Sequence, residues 1–145
     1  MVNKFKILII ISGASGSGKT FYSNIFTDGY DLLSVDSIKE KIFDSYISEK
    51  KEINKKESNI RANDIFWSQL NEKMKQEKCI IVEHTFTNTY THNFNELIKK
   101  YDYRCLLVII YSSKHNRLKR KIERTESGNR HVGHLGNLNF FNNML

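Results

Sequence analysis

The chain has no proline and only two cysteines, and none of its apolar runs is long enough to cross a membrane. Cys79 and Cys105 each open an apolar stretch, and neither belongs to a C-x-x-C pair or a Cys/His cluster. Zinc is therefore not indicated, and two reduced core thiols are expected. The first apolar run lacks a small-residue cleavage site, which excludes a signal peptide and leads to the expectation of a cytoplasmic protein. The lack of proline beside abundant Asn, Lys and Ile fits an AT-rich coding sequence as well as any structural demand. Internal repeats and linker-like stretches are also missing. A chain of 145 residues with 39% apolar content suits one domain, 1–145, around one core.

What is present is a basic balance. Lys plus Arg number 23 against 16 Asp plus Glu, a net charge of +7. That suits a phosphorylated small ligand, and it equally suits RNA or DNA.

Glycine is sparse, seven in all, yet three of the seven fall within "GASGSGKT", 13–20. The stretch satisfies G-x-x-x-x-G-K-[ST] at every fixed position. Gly13, Ala14, Ser15, Gly16, Ser17 and Gly18 would turn the backbone so that its N–H groups cradle phosphate oxygens. The positive end of the following helix adds to that field. Lys19 would reach the β- and γ-phosphates, and the Thr20 hydroxyl would be a Mg²⁺ ligand. Context separates this from an ordinary Gly/Ser turn. An apolar, β-branched run precedes it, as in a buried parallel strand, and "FYSNIF" follows with helical spacing.

Four apolar runs read as strands, at 5–12, 32–36, 79–83 and 103–111. Helical patterns lie between them at 20–26, 93–100 and 113–124, and a long polar segment, 37–78, is expected to break near 57–63. Strands alternating with helices imply right-handed crossovers, hence an α/β fold with a parallel sheet and helices on both faces. After the last helix comes "SGNRHVGHLGNLNFFNNML", which offers no β-rich run for a final strand.

Acidic residues mark the ends of two of these strands. Asp36, in "LLSVDSIKEKIF", would stand across from the phosphate loop at the carboxyl edge of the sheet. There it would accept a proton from an attacking hydroxyl or hold Mg²⁺ through water, and it would also cap a helix over 37–43. Lys39, one turn on, would meet an acceptor or its phosphate. Glu83, in "CIIVEHTF", stands where nucleotide hydrolases place a Mg²⁺-supporting acid, with His84 beside it at the rim. Further on, Arg117, Arg120 and Arg124 share a helical face, and Arg130 follows. Their guanidinium forks match phosphoryl oxygens, which makes a lid over about 117–136 the expectation; RNA binding is the alternative use of the same charges.

The phosphate loop, "SVDSIK", "IIVEHTF" and "RTESGNRHVGH" together resemble the small phosphate-loop (P-loop) kinases of the polynucleotide kinase, zeta toxin and chloramphenicol phosphotransferase type. The resemblance spans residues 5 to about 136. It implies a nucleoside-kinase-like P-loop fold, Asp36 as catalytic base, and Arg124 and Arg130 as phosphate ligands from the lid. It departs from the family in having Glu83 for the usual Asp and in lacking the strand after the lid. A guanylate-kinase type fits the loop, but the aromatic and basic GMP-binding pattern after the second strand is missing. The expectation is an ATP- and Mg²⁺-dependent kinase acting on a hydroxyl of a small molecule. A 5′-hydroxyl polynucleotide kinase and a catalytically inert nucleotide-binding module stand as rivals.

Overall fold

The run "ILIIIS" is β-branched at four of its six positions, and it forms an inner strand, β1 (Ile7–Ser12), of a parallel sheet with four strands among the described residues. The computed structural model describes residues 5–25, 28–52, 54–84 and 88–127. In chain order β1 is followed by α1 (Lys19–Ile25), β2 (Asp31–Ser34), α2 (Val35–Ser48), α3 (Lys55–Lys75), β3 (Ile80–Glu83), α4 (Asn88–Tyr101), β4 (Arg104–Ile109) and α5 (Lys114–Glu126). The strand order is β2-β3-β1-β4. The chain thus leaves β1 in one direction to build β2 and β3 and in the other to build β4. That reversal opens a crevice at the carboxyl ends of β1 and its neighbours.

Register decides which side chains meet. Ile10 pairs with Val82 and Leu107, and Ile11 with Glu83 and Val108. Leu8, Ile10, Ile80 and Val82 face the main core, against α2, α3 and α4. On α3 the buried residues Ser58, Ala62, Phe66, Leu70 and Met74 recur at every fourth position, one stripe on an otherwise polar helix. Each large side chain in that stripe contributes about 1.5–3 kcal/mol by leaving water. Ile11, Ile81 and Glu83 belong to the opposite face, where α1 packs through the fully buried Ser23.

Several expected boundaries shift. The long polar segment breaks at 49–54 and not near 57–63, because Asn54 caps α3 by accepting from the Glu57 N–H at 3.1 Å. Strand β2 ends at Ser34, two residues before Asp36. Ser34 is the cap of α2, accepting from Ser37 N, so Asp36 is not a cap and stands in the first helical turn. Its negative charge is favoured there by the helix dipole. The two thiols are not both in the core: Cys79 is half-buried and Cys105 is exposed on β4, one of the sheet's two edge strands among the described residues.

Candidate active site

The loop after β1 is shaped by contacts that only glycine permits. Gly16 has φ 81° and Gly18 φ 104°, a region that L side chains rarely adopt. A Cβ on Gly13 would lie 2.6 Å from both the Ile110 carbonyl and the Ser17 hydroxyl, so the loop closes directly on the chain leaving β4. The Ser17 N–H donates to the Ala14 carbonyl at 3.0 Å, and Ala14 and Ser15 are exposed at the tip. Lys19 Nζ donates to the carbonyls of Gly13 (2.8 Å) and Ala14 (3.2 Å), which holds the ammonium over the loop. The Ser17 hydroxyl is buried with no hydrogen-bond partner among the described residues.

Behind the loop lies a carboxylate gripped by two hydroxyls. Glu83 is 5% exposed. Thr20 Oγ1 donates to its Oε2 at 3.1 Å, and Ser23 Oγ donates to its Oε1. Ser23 also lies 3.1 Å from the Thr20 carbonyl, so three groups from α1 and β3 form one small polar network. A hydroxyl and a carboxylate, both hard oxygen donors, beside a phosphate-binding loop fit Mg²⁺, which usually takes few protein ligands and completes its shell with phosphate and water. Among the described residues no three His, Cys, Asp or Glu side chains cluster into a metal site of their own.

Two cavities flank this centre. The first, of about 120 Å³, is lined by Lys19, Val35, Asp36, Lys39, Asn63, Glu83, His84 and Tyr90. Asp36 and Lys39 project into it from the first turns of α2, and His84 follows Glu83 from β3, with its N–H bonded to the Ile11 carbonyl at 3.2 Å. The His84 ring sits in an aromatic box, with centroids 4.6 Å from Tyr90, 4.9 Å from Phe66 and 5.8 Å from Trp67. Asn63, Trp67 and Tyr90 come from helices remote in sequence, and nothing in their local pattern separates them from core or surface residues. The five-residue stripe on α3 was the only available signal, since Asn63 and Trp67 each follow one of its buried members, Ala62 and Phe66.

The second cavity, a groove of about 660 Å³, runs along the other side of the loop. Ser17, Gly18, Phe21, Tyr22, Tyr111, Arg120 and Arg124 are among its lining residues. Arg120 Nη1 donates to the Gly16 carbonyl at 3.1 Å, tying α5 to the loop. Arg117 does not join Arg120 and Arg124 in the groove. Its backbone packs against Gly16, where a Cβ would lie 2.7 Å from the Arg117 carbonyl. Arg130, with the rest of the expected lid after residue 127, lies outside the described residues. No helix among the described residues is long and apolar enough to cross a membrane.

Comparison with known proteins adds a family and a fold. The family described as "AAA domain" matches residues 8–135. No curated protein matches the chain. Among solved structures, a candidate kinase from Chloroflexus aurantiacus J-10-fl is similar with a TM-score of 0.79 and 23% identity, over 90% of this chain and 72% of that one. A chain of the Pnkp1/Rnl/Hen1 RNA repair complex aligns with a TM-score of 0.60 and 17% identity, over 87% of this chain but only 40% of its own length. A gluconokinase from Sinorhizobium meliloti 1021 gives 0.53 and 17%, over 86% and 68%. At these identities the likeness establishes the fold, a parallel P-loop architecture shared with kinases.

Proposed function

The chain belongs to the AAA domain family, and on that premise we propose that it is an ATP- and Mg²⁺-dependent phosphotransferase acting on a hydroxyl of a small molecule. One observation carries the reading. Lys19, which P-loop chemistry assigns to the phosphates, and Asp36, the base expected from the sequence, line the same small cavity. A hydroxyl entering there lies between a carboxylate and the phosphoryl group that it would attack.

The roles follow from position. The loop amides and Lys19 hold the β- and γ-phosphates, with the nucleotide along the groove lined by Ser17, Gly18, Arg120 and Arg124. Thr20 and Glu83 would hold Mg²⁺, with Asp36, which lines the same cavity as Glu83, joining through water, and the ion would supply charge neutralisation at the phosphates. Asp36 accepts the proton as the acceptor oxygen attacks. Arg124, and Arg130 on the strength of the sequence alone, neutralise charge on the transferring group. The unpaired thiols and the use of ATP suit a cytoplasmic enzyme. Incubation with γ-labelled ATP and separate pools of nucleosides, oligonucleotides, aminoglycosides and other metabolites tests the proposal. It expects label in a small-molecule pool, and label in none of them contradicts it.

The polynucleotide reading has one observation of its own, the likeness to a chain of an RNA repair complex, together with the charge of +7. If it holds, oligonucleotide affinity falls steeply with salt, by a slope of about −0.7 per neutralised phosphate. A flat response in a salt titration leaves the small-molecule acceptor.

A further inference from the structure

We propose that the base of the nucleotide stacks on an aromatic corner formed by Phe21 and Tyr22 of α1, so that the protein selects its phosphate donor by the flat face of a purine and takes guanine as readily as adenine. This deepens the phosphotransferase reading and rests on its placement of the nucleotide in the groove.

Large aromatic side chains are mostly withdrawn from water, and around this groove they are not. Phe21 is 66% exposed and Tyr111 91%, with Tyr22 beside them, and these rings line the groove of about 660 Å³ together with Ser17 and Gly18 of the phosphate loop. Apolar rings gathered at one groove mark a binding surface, where single scattered ones would not. The position of the groove names the occupant. A nucleotide anchored at the loop by its β- and γ-phosphates has only its ribose and base left to lay down, and the groove begins at the loop. Arg120 and Arg124 suit the phosphates, and the rings suit the base. The volume lies within the range of small-molecule sites and admits a nucleoside.

Geometry then sets how the base is read. The ring centroids of Phe21 and Tyr22 are 5.3 Å apart at an interplanar angle of 90°. A base laid on the face of one ring meets the edge of the other, and both arrangements are favourable. Stacking does not read donors and acceptors, because every base has a π-face. It does favour a purine, whose two fused rings cover more of the platform than one pyrimidine ring. The polar side chains of the groove add little to that code. Ser113 Oγ accepts from the Asn116 N–H at 3.2 Å, and Ser112 Oγ accepts from Arg120 Nη1 at 3.5 Å, so both hydroxyls serve α5. The Asn116 amide offers a donor and an acceptor together, which fits the edge of adenine and of guanine alike.

The test is calorimetry on the full chain with Mg²⁺. The ligands are the imido analogues of ATP, GTP and CTP and, as the probe of the phosphate site alone, inorganic tripolyphosphate. The proposal expects the two purine analogues to bind within a few-fold of each other and about 5- to 150-fold more tightly than tripolyphosphate, the contribution of one stacked base, with the CTP analogue between. Phe21→Ala combined with Tyr22→Ala should bring the purine analogues down to the affinity of tripolyphosphate and leave tripolyphosphate itself unchanged. Tyr22→Phe should bind like the original chain, because the ring and not the hydroxyl does the stacking. Unchanged purine affinity in the double variant overturns the aromatic corner. A strong preference for one purine over the other overturns selection by the ring face. A loss in Tyr22→Phe overturns stacking on Tyr22 in favour of a hydrogen bond. Each of these results leaves the phosphate site standing. Binding of no ligand, tripolyphosphate included, overturns the phosphotransferase reading and this proposal with it.

Discussion

Glutamate is one methylene longer than the aspartate usual in this strand, and at position 83 its carboxylate meets two hydroxyls on α1. Ser23 is the one that sequence reasoning missed. It is fully buried, bonds Glu83 on one side and lies against the Thr20 carbonyl on the other. If its task is to aim Glu83, Ser23→Ala should weaken divalent binding about 10-fold, the usual cost of losing an outer-shell partner, while costing the fold only about 1 kcal/mol. Mn²⁺ titration by EPR in the presence of a non-hydrolysable ATP analogue measures this. An unchanged Mn²⁺ affinity would make Ser23 a packing residue. The contrast with Lys19 and Thr20 shows what a sequence makes legible at this scale. Residues bound by one loop conformation recur at fixed spacing, and the motif announces them. Asn63 and Trp67 on α3 and Tyr90 on α4 meet at His84 and its cavity, and Ser23 meets Glu83, only through the packing of those helices and the register of β3 against β1.

Helix ends are where the elements departed most from expectation, and the scarcity of glycine explains it. Helices α2, α3 and α4 each end on a left-handed residue that is not glycine: Lys50 (φ 54°), Glu77 (φ 60°) and Asp102 (φ 55°). The next residue closes the turn in each case, with Lys51 N bonded to Tyr46 O, Lys78 N to Lys73 O and Tyr103 N to Ile98 O. A strained left-handed lysine carries no sequence signal, which is why the break at 49–54 was not legible while the helices themselves were. Lys50→Gly should therefore stabilise the protein by about 0.5–1 kcal/mol, relief of strain less the added unfolded entropy. Urea denaturation decides, and a loss of stability would mean that the lysine pays no strain. At the end of α3 the buried Tyr103 hydroxyl donates to the carbonyl of Lys78 (2.7 Å) and lies 3.2 Å from that of Met74. Burial, with the nearby Cys79 and Glu77, pushes its pKa up to about 12. The folded state therefore holds the phenol proton more tightly than the unfolded chain. Its contribution is full below about pH 10 and is lost as pH rises toward 12. Tyr103→Phe should cost about 1 kcal/mol at pH 8 and remove that alkaline loss from a series of melts at pH 8 to 12.

For the whole molecule, the alternation of strands and helices was enough to imply the parallel sheet, because buried parallel strands read as apolar runs and the crossovers admit one hand. The asymmetry of its coverage was not legible. The β3 side is sealed, with Ile80, Ile81 and Val82 fully buried, whereas β4 leaves Leu106 55% and Ile109 71% exposed among the described residues. Apolar content alone cannot say which strand ends at the edge. The order β2-β3-β1-β4 brings the phosphate loop, Glu83 and the start of α2 to one rim, and the account depends on what that rim does. The most direct test compares the chain with its Asp36→Asn variant, reading ATP affinity by calorimetry and transfer of γ-label to the acceptor pool. The amide keeps the shape of the side chain and removes its capacity to take a proton. The account predicts unchanged ATP affinity and transfer slowed on the order of 100- to 10,000-fold. Transfer within a few-fold of the original, at the same ATP affinity, would contradict it.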